Sequence, residues 1–260
     1  MYKELENFWN EYLGLAFRGD HPPTLFRGVT KATHPLVPKI ARTAEGVSLN
    51  LETVKAVEDD LFRGLTRLTE SMPEIKPASR WEWAFLAQHY GMPTRLLDWS
   101  TNPLVALFFA VEGNDQNDGA VHYVRTRVND EYELFDYLTA DYSTAHRRNP
   151  ASMLAMQEHQ GKVIFIRPKY SDARYLNQRS IFSCQANPLE PVLVPGMAKI
   201  IIPGGWKKEM RERLAKLGIA TSFIYPGVDG VMKELQSLVF GPVSNGRRMY
   251  VTSELTLPPN

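Results

Sequence analysis

Residues 79–113 read SRWEWAFLAQHYGMPTRLLDWSTNPLVALFFAVEG, and the fold class turns on how that stretch divides. Ser79 is a helix-capping type, Trp81, Phe85 and Gln88 recur at helical spacing, and Gly91 is a natural helix stop. Together they predict a first helix over 79–91. A second is expected over 103–113, with Asn102 as its cap, Pro103 in its first turn and Gly113 at its end. MPTRLLDWSTN, between them, reads as a turn-rich connection.

Working outward, AVHYVRTRV (120–128), KVIFIRP (162–168) and MAKIIIPG (197–204) read as strands. ARYLNQRSIFSCQ (173–185) begins as a helical turn and becomes a strand. Amphipathic helices are expected over 2–17, 51–70, 205–219 and 228–241. NDQNDG (114–119) is an exposed turn, TSFIYPG (221–227) a strand or loop, and 131–160 a mixture of helix and loop. Segregated helices and strands with short links predict an α+β fold: a single domain with a central mixed or antiparallel sheet flanked by helices. Its expected parts are an N-terminal helix at 1–23, a body at 24–241 and a tail at 242–260.

Phe-Arg-Gly occurs three times, at 17–19, 26–28 and 62–64. The first copy falls at a helix exit before Pro22-Pro23, and the third lies within an amphipathic helix whose Arg63 should face solvent. The middle copy, in TLFRGVT, is rich in β-formers and reads as a short strand ending in a turn or bulge. A strand end can hold an arginine rigidly at a cleft, so Arg27 is the functional candidate among the three. Nothing else repeats with the tripeptide, so it marks no internal repeat.

Composition excludes several classes. A net charge of +1 gives no global case for nucleic acid or an anionic membrane. No apolar run reaches the length of a membrane span, and MYKELENFWNEY lacks the basic and apolar regions of a secretory signal. The single cysteine, Cys184, excludes an internal disulfide and fits a reducing compartment, so the cytoplasm is the expected location. Cys184 itself reads as a small buried side chain. No zinc-protease helix, Gly-rich phosphate loop, nucleophile elbow or Cys/His metal cluster is present, so no metal is expected.

The segment 82–112 is dense in residues costly to place by chance: Gln88, His89, Tyr90, Gly91, Pro93, Thr94, Arg95, Asp98, Trp99, Ser100, Asn102 and Pro103. With Phe26-Arg27-Gly28 and the PKIAR that follows, it resembles the bacterial FRG-domain family. Arg174, Gln178 and Phe182 in RYLNQRSIF, and YPGVDG at 225–230, match later elements of that family, with Gly227 where the family more often has Asp. A weaker resemblance links the strand LFRG and DWSTNPLVALFFA to the Arg and Ser strands of arginine-type ADP-ribosyltransferases. That resemblance implies NAD as substrate, with Arg27, Ser100, Gln178 and Asp98 as catalytic candidates and Arg27, Gln88, His89, Tyr90, Thr94, Arg95 and Trp99 at the dinucleotide.

The chemistry is consistent with those types. A guanidinium fork matches a diphosphate. Cleavage of the nicotinamide–ribose bond builds an oxocarbenium-like centre that a carboxylate stabilises. Tyr90, Trp81 or Trp99 could stack on a base. At the third position, where such enzymes carry Glu, this chain has Gln178, which hydrogen-bonds but bears no charge; Glu190 is the acidic alternative. The acceptor would be a protein or nucleic acid, and the company such domains keep implies phage defence or a toxin-like effector. The rival reading is a non-catalytic module that binds a nucleotide or a nucleic-acid end. A third is a metal-dependent hydrolase using Asp98, near which only Glu82 and Glu112 offer further carboxylates. Asp98 is expected to pair with Arg27 or Arg95, and Arg27 and Ser100 to lie on adjacent strands lining one cleft.

Overall fold

The computed structural model describes residues 2–17, 24–42, 49–125 other than 73, 76 and 78, then 132–136, 163–169 and 172–240. The strand predicted around the middle Phe-Arg-Gly is β1 (Thr24–Val29). It sits inside a sheet with β2 (Leu97–Ser100), β3 (Gly119–Arg125), β4 (Tyr132–Asp136), β5 (Val163–Arg167), β6 (Ser180–Gln185) and β7 (Ala198–Ile202). The spatial order of these seven is β4-β5-β6-β2-β1-β3-β7. Every adjacent pair is antiparallel except β4 with β5, so the sheet is mixed and the class is α+β, as expected.

The helices are α1 (Tyr2–Phe17), α2 (Leu51–Leu68), α3 (Arg80–His89), α4 (Pro103–Val111), α5 (Ala173–Asn177), α6 (Lys207–Lys216), α7 (Thr221–Ile224) and α8 (Val228–Phe240). The capping signals act as predicted. Ser79 accepts from the Glu82 amide at 3.2 Å, and Asn102 accepts from the Leu104 amide at 2.9 Å. Gly91 closes α3 at φ +77°.

Three readings need correction. The stretch taken as a turn-rich connection contains β2, because Leu97 and Trp99 bury on one face while the backbone pairs with β6. Residues 221–224 form the short helix α7 rather than a strand or loop. Within 131–160, read as helix and loop, residues 132–136 form strand β4; the remainder lies outside the described residues, as do Arg18 and the tail.

Side chains alternate across the sheet and divide it into two faces. On the first face two helical clusters stand side by side. One packs α1, α4, α6 and α7 on Phe26, Val121 and Ile202; the other packs α2, α3 and α5 on Ile164, Ile166, Phe182 and Cys184. The second face, with Leu25, Val29, Leu97, Trp99, Ala120 and Val124, is covered by chain from the β1–α2 and β6–β7 connections through Leu36, Val192 and Val194. Glycine lets α4 lie directly on the sheet. A Cβ on Gly28 would run into the Ala106 carbonyl and stand 2.6 Å from the Ala110 amide nitrogen.

Candidate functional site

The two helical clusters of the first face part over β2, and the polar residues of the decisive stretch lie in that seam. Asp98 points into it with its side chain 49% exposed. Gln88, in the last turn of α3, donates from Nε2 to Asp98 Oδ2 at 2.9 Å. Thr94 fixes that amide, giving its hydroxyl proton to Gln88 Oε1 at 2.5 Å while accepting from the Leu96 amide at 3.1 Å. Thr94 is fully buried, so it orients Gln88 rather than meeting a ligand.

Arg27 reaches the seam from β1. Its Nη1 donates to the Asp98 carbonyl and stands 3.9 Å from Asp98 Oδ2, while its Nε is buried without a partner. Burial lowers its pKa to about 10, the Asp98 charge opposes this, and Arg42 adds to it. Of the two partners considered for Asp98, Arg27 is therefore the one used. Arg95 lies elsewhere, 3% exposed, with Nε donating to Glu58 Oε1 at 2.8 Å and Oε2 at 2.9 Å. Its place at the dinucleotide is corrected: the guanidinium is consumed by a buried ion pair. Trp99 is corrected as well, since it packs in the second-face core and donates its indole N–H to Ser183 Oγ at 2.9 Å. Trp81 is likewise core. Tyr90, 76% exposed, is free to stack.

Ser100 and Gln178 do meet, but as structure. The buried Ser100 hydroxyl donates to the Gln178 carbonyl at 2.6 Å and accepts from the Asn102 amide at 2.9 Å. The buried Gln178 side chain donates to the Ile224 carbonyl at 2.9 Å. Arg27 and Ser100 lie on adjacent strands, as expected, yet Phe26 is the residue opposite Ser100. Alternation therefore starts Arg27 from the other face, so the expectation that both line one cleft is corrected. Glu190 belongs to a turn after β6, accepting from Asn187 Nδ2 at 2.9 Å.

The later elements arrive on the seam instead. Arg174, at the start of α5, donates to the His89 carbonyl at 2.9 Å and lies 5.4 Å from the centre of the Tyr225 ring. Tyr225 follows α7 and donates to Glu112 Oε1 at 2.8 Å. Burial raises the Glu112 pKa, opposed by Tyr225, Lys233 and Arg174. Burial also raises that of Tyr225, and the charges of Glu112 and Asp98 add to it. Asp98 and Glu112 thus act on one phenol, with Arg174 and Lys233 as neighbouring cations. Sequence reasoning missed Tyr225, Lys233 and the role of Glu112, although YPGVDG marked the turn that carries Tyr225.

His89 ends α3, with Nδ1 3.6 Å from Asp172 Oδ1 and the ring edge-on to Tyr90 and Tyr175. Burial lowers its pKa, Asp172 opposing and Arg174 adding. These side chains border a cavity of about 480 Å³ that also includes Phe85 and Lys169. Among the described residues no group of three or more His, Cys, Asp or Glu could hold a metal ion, and no helix is long and apolar enough to cross a membrane.

A helix-seam site built around Arg27, Gln88 and Asp98, on a mixed sheet, brings these candidate residues of the early chain together. Residues 22–119 match the family model of the FRG domain. Over those residues the chain is similar to the FRG domain, and the match takes in Arg27, Gln88, Asp98 and α4. Arg174, Gln178 and Tyr225 lie beyond it and join the site through the fold. No curated protein and no solved structure matches the chain. The likeness to ADP-ribosyltransferases rests on the residues alone.

Proposed function

We propose that this protein binds NAD, or a related dinucleotide, at the β2 seam and cleaves the nicotinamide–ribose bond. The observation that carries the reading is the Asp98 carboxylate, half open to solvent yet held by Gln88 and Arg27. A fixed carboxylate beside a ribose stabilises the oxocarbenium-like transition state. As the C–N bond breaks, its electron pair leaves on the pyridinium nitrogen, giving neutral nicotinamide. The acceptor, a protein or nucleic-acid nucleophile or water, supplies the new bond to C1′ and loses a proton. Glu112, with its raised pKa, is suited to take that proton. Tyr90 offers a face for a base beside the His89 cavity. In this scheme Gln178 and Ser100 brace the site.

A second reading is nucleotide or nucleic-acid-end binding without chemistry. It is favoured by the burial and full use of Ser100 and Gln178, two groups that catalysis on the transferase pattern would need free. Nicotinamide release and calorimetric titration with NAD, run on wild type and Asp98→Asn, separate the readings. We expect wild type to bind NAD and release nicotinamide, and Asp98→Asn to bind but turn over at least about a hundredfold more slowly. Heat without nicotinamide would leave the binding module. No heat from a folded protein would end both readings for NAD. Consumption of NAD would also underlie a toxin-like or phage-defence role, read as growth arrest on expression that Asp98→Asn relieves.

A further inference from the structure

The second face of the sheet holds a row of basic residues of which the seam uses only Arg27. Arg27, His122 and Lys199 stand directly opposite one another on β1, β3 and β7. Alternation places all three on the face of Leu25, Ala120 and Val124. Side chains paired in this way are neighbours, and like charges so placed repel. The connection after β1 adds more positive charge above them. Arg42 and Lys31 both act on His34, and Arg42 acts on Arg27. Apart from Asp98, the charges acting on Arg27, His122 and His34 are all positive.

Two nitrogens at the base of this group are buried and unpartnered: Arg27 Nε and His122 Nε2. His122 is 8% exposed, so this nitrogen lies within the sheet rather than at the surface. A buried polar atom without a partner is costly, and two on residues paired across β1 and β3, between cationic neighbours, call for a compensating group. The outer end of the row is open, for Lys199, His34 and Arg42 are exposed. Lys199 already donates to the Ala32 carbonyl at 2.5 Å and Arg42 Nε to the Val37 carbonyl at 3.0 Å, which hold both cations at the rim with donors to spare.

We infer that the row Arg27–His122–Lys199, roofed by residues 30–42, is an anion site that takes a phosphoryl group, free or carried by a nucleotide. Arg27 and His122 supply buried donors at the floor, and Lys199 and Arg42 supply charge at the mouth. Arg27, Lys199 and Arg42 carry three formal charges, which suits a phosphate or diphosphate better than a single carboxylate. The site shares Arg27 with the NAD reading, while His122 and Lys199 lie on the face opposite Asp98.

The test is calorimetric titration of the whole chain with inorganic phosphate, inorganic pyrophosphate and ADP, on wild type, His122→Leu, Lys199→Gln and Arg42→Gln. We expect saturable pyrophosphate binding that weakens with added salt, by at least tenfold in His122→Leu and severalfold in each rim variant. ADP binding more tightly than pyrophosphate would assign the phosphoryl group to a nucleotide; equal binding would assign free phosphate, and either supports the site. The rim residues are exposed, so those variants keep the test open should His122→Leu fail to fold. No binding by folded wild type, or unchanged affinity in the rim variants, overturns the inference. Nicotinamide release in the Asp98→Asn comparison is read separately, so the two proposals fail independently.

Discussion

Arg27 and Arg95 show how much a single arginine depends on its neighbours. Both come from motif stretches, and both are largely buried. Arg95 is satisfied by Glu58, whereas Arg27 keeps a buried nitrogen with nothing to bond. Removing Arg95 strands a buried carboxylate, so Arg95→Ala should destabilise the fold by about 3–5 kcal/mol in a denaturant titration. Adding Glu58→Leu to it should recover part of that loss, an outcome a ligand-binding role for Arg95 does not give. His122 yields a pH signature. Burial first, then the charges of Lys199 and Arg27, lower its pKa from the ordinary 6.5 to about 4. The unfolded chain therefore binds a proton between those values that the folded chain refuses. The contribution is complete above pH 6.5 and is lost as pH falls toward 4, on the order of 3 kcal/mol. Denaturation midpoints across that window should fall less steeply in His122→Leu than in wild type; equal slopes would refute the assignment.

At the scale of elements, Phe-Arg-Gly divides its labour by sheet alternation. Phe26 enters the first-face core, Arg27 takes the second face, and Gly28 makes room for α4. Gly119 on β3 does the same, since a Cβ there would meet the Ala110 carbonyl and stand 3.2 Å from Lys207 Cε. Helix α4 presents Ala106 and Ala110 to these glycines, so the Ala-rich run after the motif and the glycine within it are two sides of one contact. The clash at Gly28 is with backbone, which cannot rotate away. Gly28→Ala should cost about 3 kcal/mol or more, seen as a lowered Tm. By comparison Gly64, with open space around it in α2, should accept alanine with a slight gain in stability.

Across the whole molecule, Lys207 ties distant parts of the chain together. It is fully buried, and its ammonium donates to the carbonyls of Thr30 at 2.7 Å, Gly113 at 2.9 Å and Asn114 at 3.0 Å. One cation thus joins the exits of β1 and α4 to the start of α6. Lys207→Met keeps the stem volume and leaves three carbonyls unserved, a loss on the order of 3 kcal/mol. Amide exchange should then rise around residues 30 and 113–114 before it rises in β5 and β6. Uniform exchange across the sheet would show that this tie is not local. In the basic helix from which it comes, Lys207 reads as one more solvated charge; nothing in its own neighbourhood announces three acceptors some 93 to 177 residues away in the chain.

Local chemistry determined much of this protein from the sequence. The caps at Ser79 and Asn102, the stop at Gly91, the strand around Arg27 and the turn of residues 173–177 leading into β6 all rest on interactions a few residues long. The polar density of residues 88–100 likewise marked the seam, and it is there that Gln88 and Asp98 meet. Only the tertiary structure decided which of those polar groups remain available. Arg95 is spent on Glu58, Trp99 on Ser183, and Ser100 and Gln178 on backbone carbonyls, all partners far along the chain. It also decided the face on which Arg27 stands and the row it forms with His122 and Lys199. The physical reason is that propensity and capping act within a turn or two of chain. Strand register and burial set which side chains share a space, and they pair residues that no local pattern connects.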